Sequence, residues 1–313
     1  MNPYPGSERA VGPHAVSDRH VPVPVPVPVQ EGVPLAPHQA AGLVWPAVDR
    51  VFRSGMAAAG DRGGAELRQR YGGPSAIGFL VDFRTRLAAP GGFISGRQLA
   101  ALTRYADQAE CQRYLDKQVA HGMIHRQDDG ICATDRGRAY LTELYELHAR
   151  VTEEIWSEHT ERVQRLVGVL GRLLAAALDG PPPGAATPPA PSGHLPPPVI
   201  RQPGVAPAPR RPGGPEHRDG AFDAMAPPYE PDGTPPGLLL LNRLGTLRYH
   251  RADAHAAAWQ AAGHTARSIV ALAPGPERLA IELETDRRAA GPYAVLTPPE
   301  RLQLLADLAA LPG

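Results

Sequence analysis

Proline placement constrains this chain more than any other feature of its sequence. Residues 21–29 alternate valine with proline (Val21-Pro22-Val23-Pro24-Val25-Pro26-Val27-Pro28-Val29). That pattern removes every second backbone donor and locks φ, so a helix cannot form there. The repeat favours an extended polyproline rod, and without flanking basic residues it reads as a spacer rather than as bait for a groove-type domain. Between Pro181 and Pro236, 19 of 56 residues are proline. Large apolar side chains are too sparse in that stretch to offset the entropy of ordering it. The sequence therefore predicts a disordered arm over 1–36, a folded unit over 37–180, a disordered linker over 181–236 and a small second unit over 237–313.

Charge and cysteine usage narrow the function classes. The 32 basic and 32 acidic residues cancel, so no global field marks a protein that wraps a polyanion; any nucleic-acid surface has to be local. Lys117 is the only lysine, an arginine bias read first as genome composition. Two cysteines, Cys111 and Cys132, cannot frame a disulfide scaffold, and the N-terminus does not resemble a signal peptide. The apolar run Gly237 to Leu241 falls far short of the roughly 20 residues that span a bilayer. A cytoplasmic protein without a membrane segment is expected. The chain has no phosphate-cradling glycine loop with lysine, no HExxH, no CxxC and no GxSxG, so no enzyme, cofactor or metal centre is expected either.

Periodicity supplies the elements of the first unit. Val44, Val48, Val51 and Phe52 recur at helical spacing within about 38–59, and Gly60 to Gly64 then interrupts. A short helix over 65–71 and another from Pro74 to about Ala88 follow, the second ended by Pro90-Gly91-Gly92. Two abutting helices come next, 95–106 and 107–121, the latter with Asp107 as N-cap and with Cys111, Leu115 and Val119 every four residues. Short strands over 123–126 and 131–133 flank Gln127-Asp128-Asp129-Gly130, whose Asp-Gly pair suits a tight turn. Thr134 then starts a helical pattern reaching about Leu178, roughly 65 Å if unbroken. No single small domain buries such a stripe alone. Either a partner protomer lies along it, or it breaks near Ser157 or between Gly168 and Gly171.

The run from Leu115 through His121-Gly122-Met123-Ile124, Arg126 and Asp128-Asp129-Gly130 to Ala133-Thr134-Asp135-Arg136-Gly137-Arg138 resembles MarR-type transcriptional regulators. The likeness is strong over about 50 residues, where recognition helix, charged wing and a Thr-x-x-Gly-Arg start of the dimerisation helix follow one another. It implies a mainly α fold: a winged helix-turn-helix with a long dimerisation helix, here joined to a small all-helical C-terminal module. It also implies a homodimer that binds a short inverted repeat in double-stranded DNA and responds to a small-molecule effector. The outward side of the recognition helix would carry Gln108, Gln112, Arg113, Asp116 and Lys117, with Arg126 beside the hairpin. Gln can read adenine, Arg can read guanine, and an arginine on a wing reaches phosphate or the minor groove. From 91 to 140 seven basic residues face six acidic ones, a thin balance for phosphate contacts, and Gln118 stands where the family places an apolar residue. A protein-interaction scaffold that does not touch DNA is the alternative.

The last 77 residues predict four helices, beginning near Leu238, Thr265, Pro276 and Thr297, a marginal core that has to pack on the first unit or a partner. Leu247-Arg248-Tyr249-His250-Arg251-Ala252-Asp253-Ala254-His255 faintly resembles an Arg-Gly-Asp-Gly-His-like element of helical actinobacterial proteins. On a helix His250 and His255 lie about 140° apart, so with Asp253 they cannot all face one ion. Ordinary polar contacts are expected there, with a small-ligand pocket or enzyme site as the alternative.

Overall fold

A computed structural model describes residues 34–182 and 219–312. The valine–proline repeat and residues 183–218 of the expected linker lie outside them. The described residues are mainly helical, with one small antiparallel sheet.

Helix α1 (Pro37–Ala59) opens the fold and runs into a kink at Gly60–Gly64, where Gly63 takes φ 119°. After α2 (Ala65–Arg70), the helix expected from Pro74 to Ala88 is divided at Phe83 into α3 (Pro74–Asp82) and α4 (Arg84–Leu87). Strand β1 (Phe93–Ser95) was not expected; it takes the first residue of what read as a helix over 95–106. Ser95 caps α5 (Gly96–Leu102), its hydroxyl accepting from Gln98 N while Gln98 Oε1 accepts from Ser95 N. Asp107 caps α6 (Gln108–Ala120), accepting from Glu110 N at 2.8 Å.

Strands β2 (Ile124–Gln127) and β3 (Gly130–Ala133) form the hairpin, and β3 sits between β1 and β2. Gln127 pairs with Gly130, so the turn is Asp128-Asp129, one residue earlier than the Asp-Gly reading placed it, with Asp128 at φ 50°. Gly130 is needed for another reason: a Cβ there would strike Ile94 O and the Phe93 ring of β1. Thr134 caps α7 (Asp135–Ile155) by accepting from Gly137 N, and donates to Gly122 O at 2.6 Å, tying the end of α6 to the start of α7. Gly122 has φ 66°, as a helix exit into an immediate strand requires.

The long helical pattern breaks where Ser157 suggested, at Trp156 and the turn Ser157–His159, before α8 (Thr160–Asp179); Gly168 and Gly171 stay within α8. Among the described residues α9 (Ala221–Met225), α10 (Pro236–Ala261), α11 (Ala266–Ala271), α12 (Pro276–Arg288) and α13 (Pro298–Ala309) follow, with a 3-10 turn at Gly291–Val295. The C-terminal boundaries follow the predicted ones because Thr265 and Thr297 cap as expected.

Two expectations about organisation are corrected. Residues 219–236, assigned to the linker, belong to the folded structure: Ala221, Phe222, Ala224 and Met225 of α9 are buried, and proline density around them masked that anchor. Residues 237–313 are not a separate module. Leu240, Leu241, Leu244 and Leu247 of α10 share one core with Val44, Val48 and Val51 of α1 and with Leu166, Leu170 and Leu173 of α8. Leu35, assigned to the arm, also belongs to this core, and its carbonyl accepts from Arg301. The stripe of α7 and α8 is therefore covered by the chain's own helices, so its length gives no argument for a second protomer. Among the described residues, no helix is long and apolar enough to cross a membrane.

Candidate nucleic-acid interface

Helix α6 packs on α3 through Leu115 and the half-buried Cys111 and Val119. Its four-residue apolar spacing leaves the opposite side to solvent, and Gln108, Gln112, Arg113, Asp116 and Lys117 are all exposed there. Gln118 is fully buried, where an amide has to find partners. Its Oε1 accepts from Phe79 N at 3.2 Å and its Nε2 lies 3.5 Å from Tyr114 O, so the polar residue is built into the α3–α6 contact.

A groove of about 340 Å³ runs between α5, α6 and the hairpin. Leu99, Leu115 and Ile131 floor it, while Gln108, Gln112, Arg126, Asp128 and Asp129 stand on its rim. Gln112 and Arg126 are brought together by Asp116, which the sequence placed on the same outward face without a bridging role. Asp116 Oδ1 accepts from Gln112 Nε2 at 3.1 Å and from Arg126 Nη2 at 2.7 Å. Gln108 turns back along the helix start and donates to Thr103 O at 3.2 Å. Lys117 Nζ stands 5.5 Å from the Tyr114 ring, and Arg113 makes no ion pair among the described residues.

The local charge differs from the sequence tally. Arg104 points away from the groove into a buried pair with Asp253. Arg97 pairs with Asp219, Arg136 stacks over Tyr71, and Arg138 bonds Ala133 O and Asp135. On α6 and the hairpin the remaining charges are Arg113, Lys117 and Arg126 against Glu110, Asp116, Asp128 and Asp129. Burial pushes both cysteine thiols up, the reverse of what a reactive thiolate needs.

The cluster at 247–255 is spent on holding helices together. Arg248 pairs with Asp49 at 2.9 Å and lies 4.4 Å over the Phe52 ring. Arg251 pairs with Asp286 and Glu282 and covers Trp45. Asp253 caps α9 by accepting from the amides of Ala221 and Phe222. His250 is buried edge-on against Phe222, and burial holds it down at about 4; His255 bonds the Tyr105 hydroxyl. Among the described residues, no group of three His, Cys, Asp or Glu side chains could hold a metal ion. Comparison with protein families, curated proteins and solved structures finds no match to this chain.

Proposed function

We propose that this protein is a DNA-binding transcriptional regulator in which α3 to α6 and the β2–β3 hairpin act as a winged helix-turn-helix. The observation that carries the reading is the α6 face. It presents Gln108, Gln112, Arg113 and Lys117 beside Arg126 on the hairpin, along an open groove that α10 to α13 leave uncovered. A helix entering the major groove reads base edges with amides and guanidinium groups of this kind. Gln112 and Arg126 exchange their bonds to Asp116 for bonds to bases and phosphate, and Arg113 and Lys117 contact backbone phosphates. A homodimer that sets two readers on an inverted repeat pairs through a surface other than the α7–α8 stripe, which the chain itself covers. An effector, where one acts, shifts how the reader is held against α10.

Fluorescence anisotropy with a pool of randomised duplexes at low salt, followed by salt titration, tests this. Three available cations on each of the two readers give a log–log salt slope of roughly −5 for the homodimer, from about −0.9 per neutralised phosphate. Gln108→Ala or Gln112→Ala then changes the selected sequence, while Arg113→Ala, lost from both readers, flattens the slope by about two units. Failure to bind any duplex in a salt-dependent way overturns the reading. The charge balance of the same face, three cations against four acids, favours a second one: a winged-helix scaffold that docks a protein. Co-purification of one stoichiometric protein partner, without nucleic acid, would establish it.

A further inference from the structure

Tyr105 stands in the turn between α5 and α6, yet its ring packs with Trp259, Ile269 and Ile281 of the C-terminal helices. Its hydroxyl lies within a chain of polar contacts that joins three elements. Trp259 Nε1 donates to the Tyr105 oxygen at 3.1 Å, and that oxygen is 2.9 Å from His255 Nδ1 on α10. The other ring nitrogen, His255 Nε2, is 3.7 Å from Glu282 Oε1 on α12, and Glu282 Oε2 accepts from Arg251 Nη2 at 3.2 Å.

Donor and acceptor capacity places the protons in this chain. A carboxylate only accepts, so the imidazole turns Nε2–H toward Glu282. An indole only donates, so the Tyr105 oxygen accepts from Trp259 and sends its own proton to Nδ1. His255 is neutral in that arrangement. Burial holds it below its ordinary range; Glu282 works against this, and Arg251 and Arg278 add to it. The remaining charges beside the turn, Arg104 and Asp253, are paired with each other. Uptake of one proton from solvent at Nδ1 changes the arrangement. Nδ1–H becomes a donor, so Tyr105 keeps its proton but has to turn it away from the ring, and among the described residues no second acceptor bonds that hydroxyl. A half-buried O–H left without an acceptor is costly, while the charged ring is drawn toward Glu282.

We propose that Tyr105 and His255 form a protonation-controlled latch, which holds the α5–α6 turn on α10 while the imidazole is neutral and loosens it when the imidazole is charged. The turn leads directly into α6, so the latch sets how the start of that helix is held. Its consequence for DNA rests on the reader proposed above; the tests use the full chain without DNA and stand or fall separately. Long-range proton–nitrogen spectra of the histidine rings, assigned with His255→Gln, report tautomer and midpoint. The Nε2–H tautomer is expected at about pH 8, with a midpoint below the ordinary imidazole range. Across that midpoint the amides of Ala106, which donates to Thr103 O, and Cys111, which donates to Asp107 O, lose about fivefold of their exchange protection, the weight of one ordinary hydrogen bond. The amide of Leu244, in the core of α10, keeps its protection. These readouts come from the unaltered protein. Tyr105→Phe removes the bond to the neutral ring, so the His255 midpoint rises. His255→Gln ends the pH dependence at Ala106 and Cys111. An Nδ1–H tautomer at about pH 8, a midpoint unmoved by Tyr105→Phe, constant protection of the turn amides through the midpoint, or a pH dependence that survives in His255→Gln each overturns the proposal.

Discussion

Replacing Asp253 by alanine should unlock the two halves of the molecule from each other. Its carboxylate pairs with Arg104, beyond α5, and accepts from the amides of Ala221 at 3.0 Å and Phe222 at 2.8 Å. The two paired side chains keep only 16% and 10% of their exposure. Removing one member of such a buried pair costs about 3–5 kcal/mol, because the other charge is left in a poor dielectric. The two lost amide bonds are worth about 1 kcal/mol each and overlap with that figure. Arg104 keeps Ala101 O at 2.7 Å and Ala252 O at 3.5 Å as acceptors, which moderates the penalty. A loss of about 3–4 kcal/mol is expected for Asp253→Ala, and about half that for Asp253→Asn, which retains one acceptor. Urea unfolding followed by far-UV circular dichroism and by tryptophan fluorescence measures it, and both probes should report one transition because the helices share a core. Amide exchange at Ala221 and Phe222 should accelerate well before the rest of the chain. A cost below about 1 kcal/mol, the range of an exposed pair, or two separate transitions in the unaltered protein, would refute the account of how α5, α9 and α10 are joined.

Other consequences follow from the same contacts. Asp116→Asn releases Arg126 and removes an acidic charge from the reader face, so low-salt DNA binding should tighten several-fold; unchanged or weaker binding counts against α6 as the contact surface. Gly130→Ala forces a methyl into Ile94 O and the Phe93 ring and should cost about 2–3 kcal/mol, read as a lowered urea midpoint. Burial pushes the Asp82 carboxyl up to about 7, while Arg84 and Arg248 pull the other way. Its folded pKa thus exceeds the unfolded one, and stability is lost as pH rises from about 4 to 7. Asp82→Asn should remove that decline, so its advantage over the unaltered protein grows across this window; a pH-independent difference would contradict the assignment. Glu300 behaves oppositely: bonds from Thr297 N, Arg172 and the Thr297 hydroxyl hold it at about 2. Its contribution is present above about 4.5 and lost as pH falls toward 2, so Glu300→Gln should flatten the acid limb of the stability profile.

The candidate site was legible in part. The inward spacing of Cys111, Leu115 and Val119 placed Gln108, Gln112, Arg113 and Lys117 outward, because a helix repeats its faces every three to four residues and needs no distant information. The same spacing sets Gln112 and Asp116 one turn apart but could not show that Asp116 would also hold Arg126, since that depends on where β2 lies beside α6. Nor could it show Arg104 turning inward, because its partner Asp253 lies 149 residues away. The turn was misplaced by one residue because Gly130 answers to β1, a strand of three residues too short to stand out from the helix that follows it.

Sequence alone determined where helices start, because Ser95, Asp107, Thr134, Thr265 and Thr297 reach amides only two or three residues ahead. It also determined that the helix starting at Thr134 had an apolar stripe longer than one small unit could bury. Tertiary structure decided what covers that stripe. Helix α10 lies against α7, α8, α1 and α12 at once, so a segment that read as a separate module became the centre of the fold. Burial of an apolar surface is non-directional: it says that a face must be covered, and only the packed chain says by what.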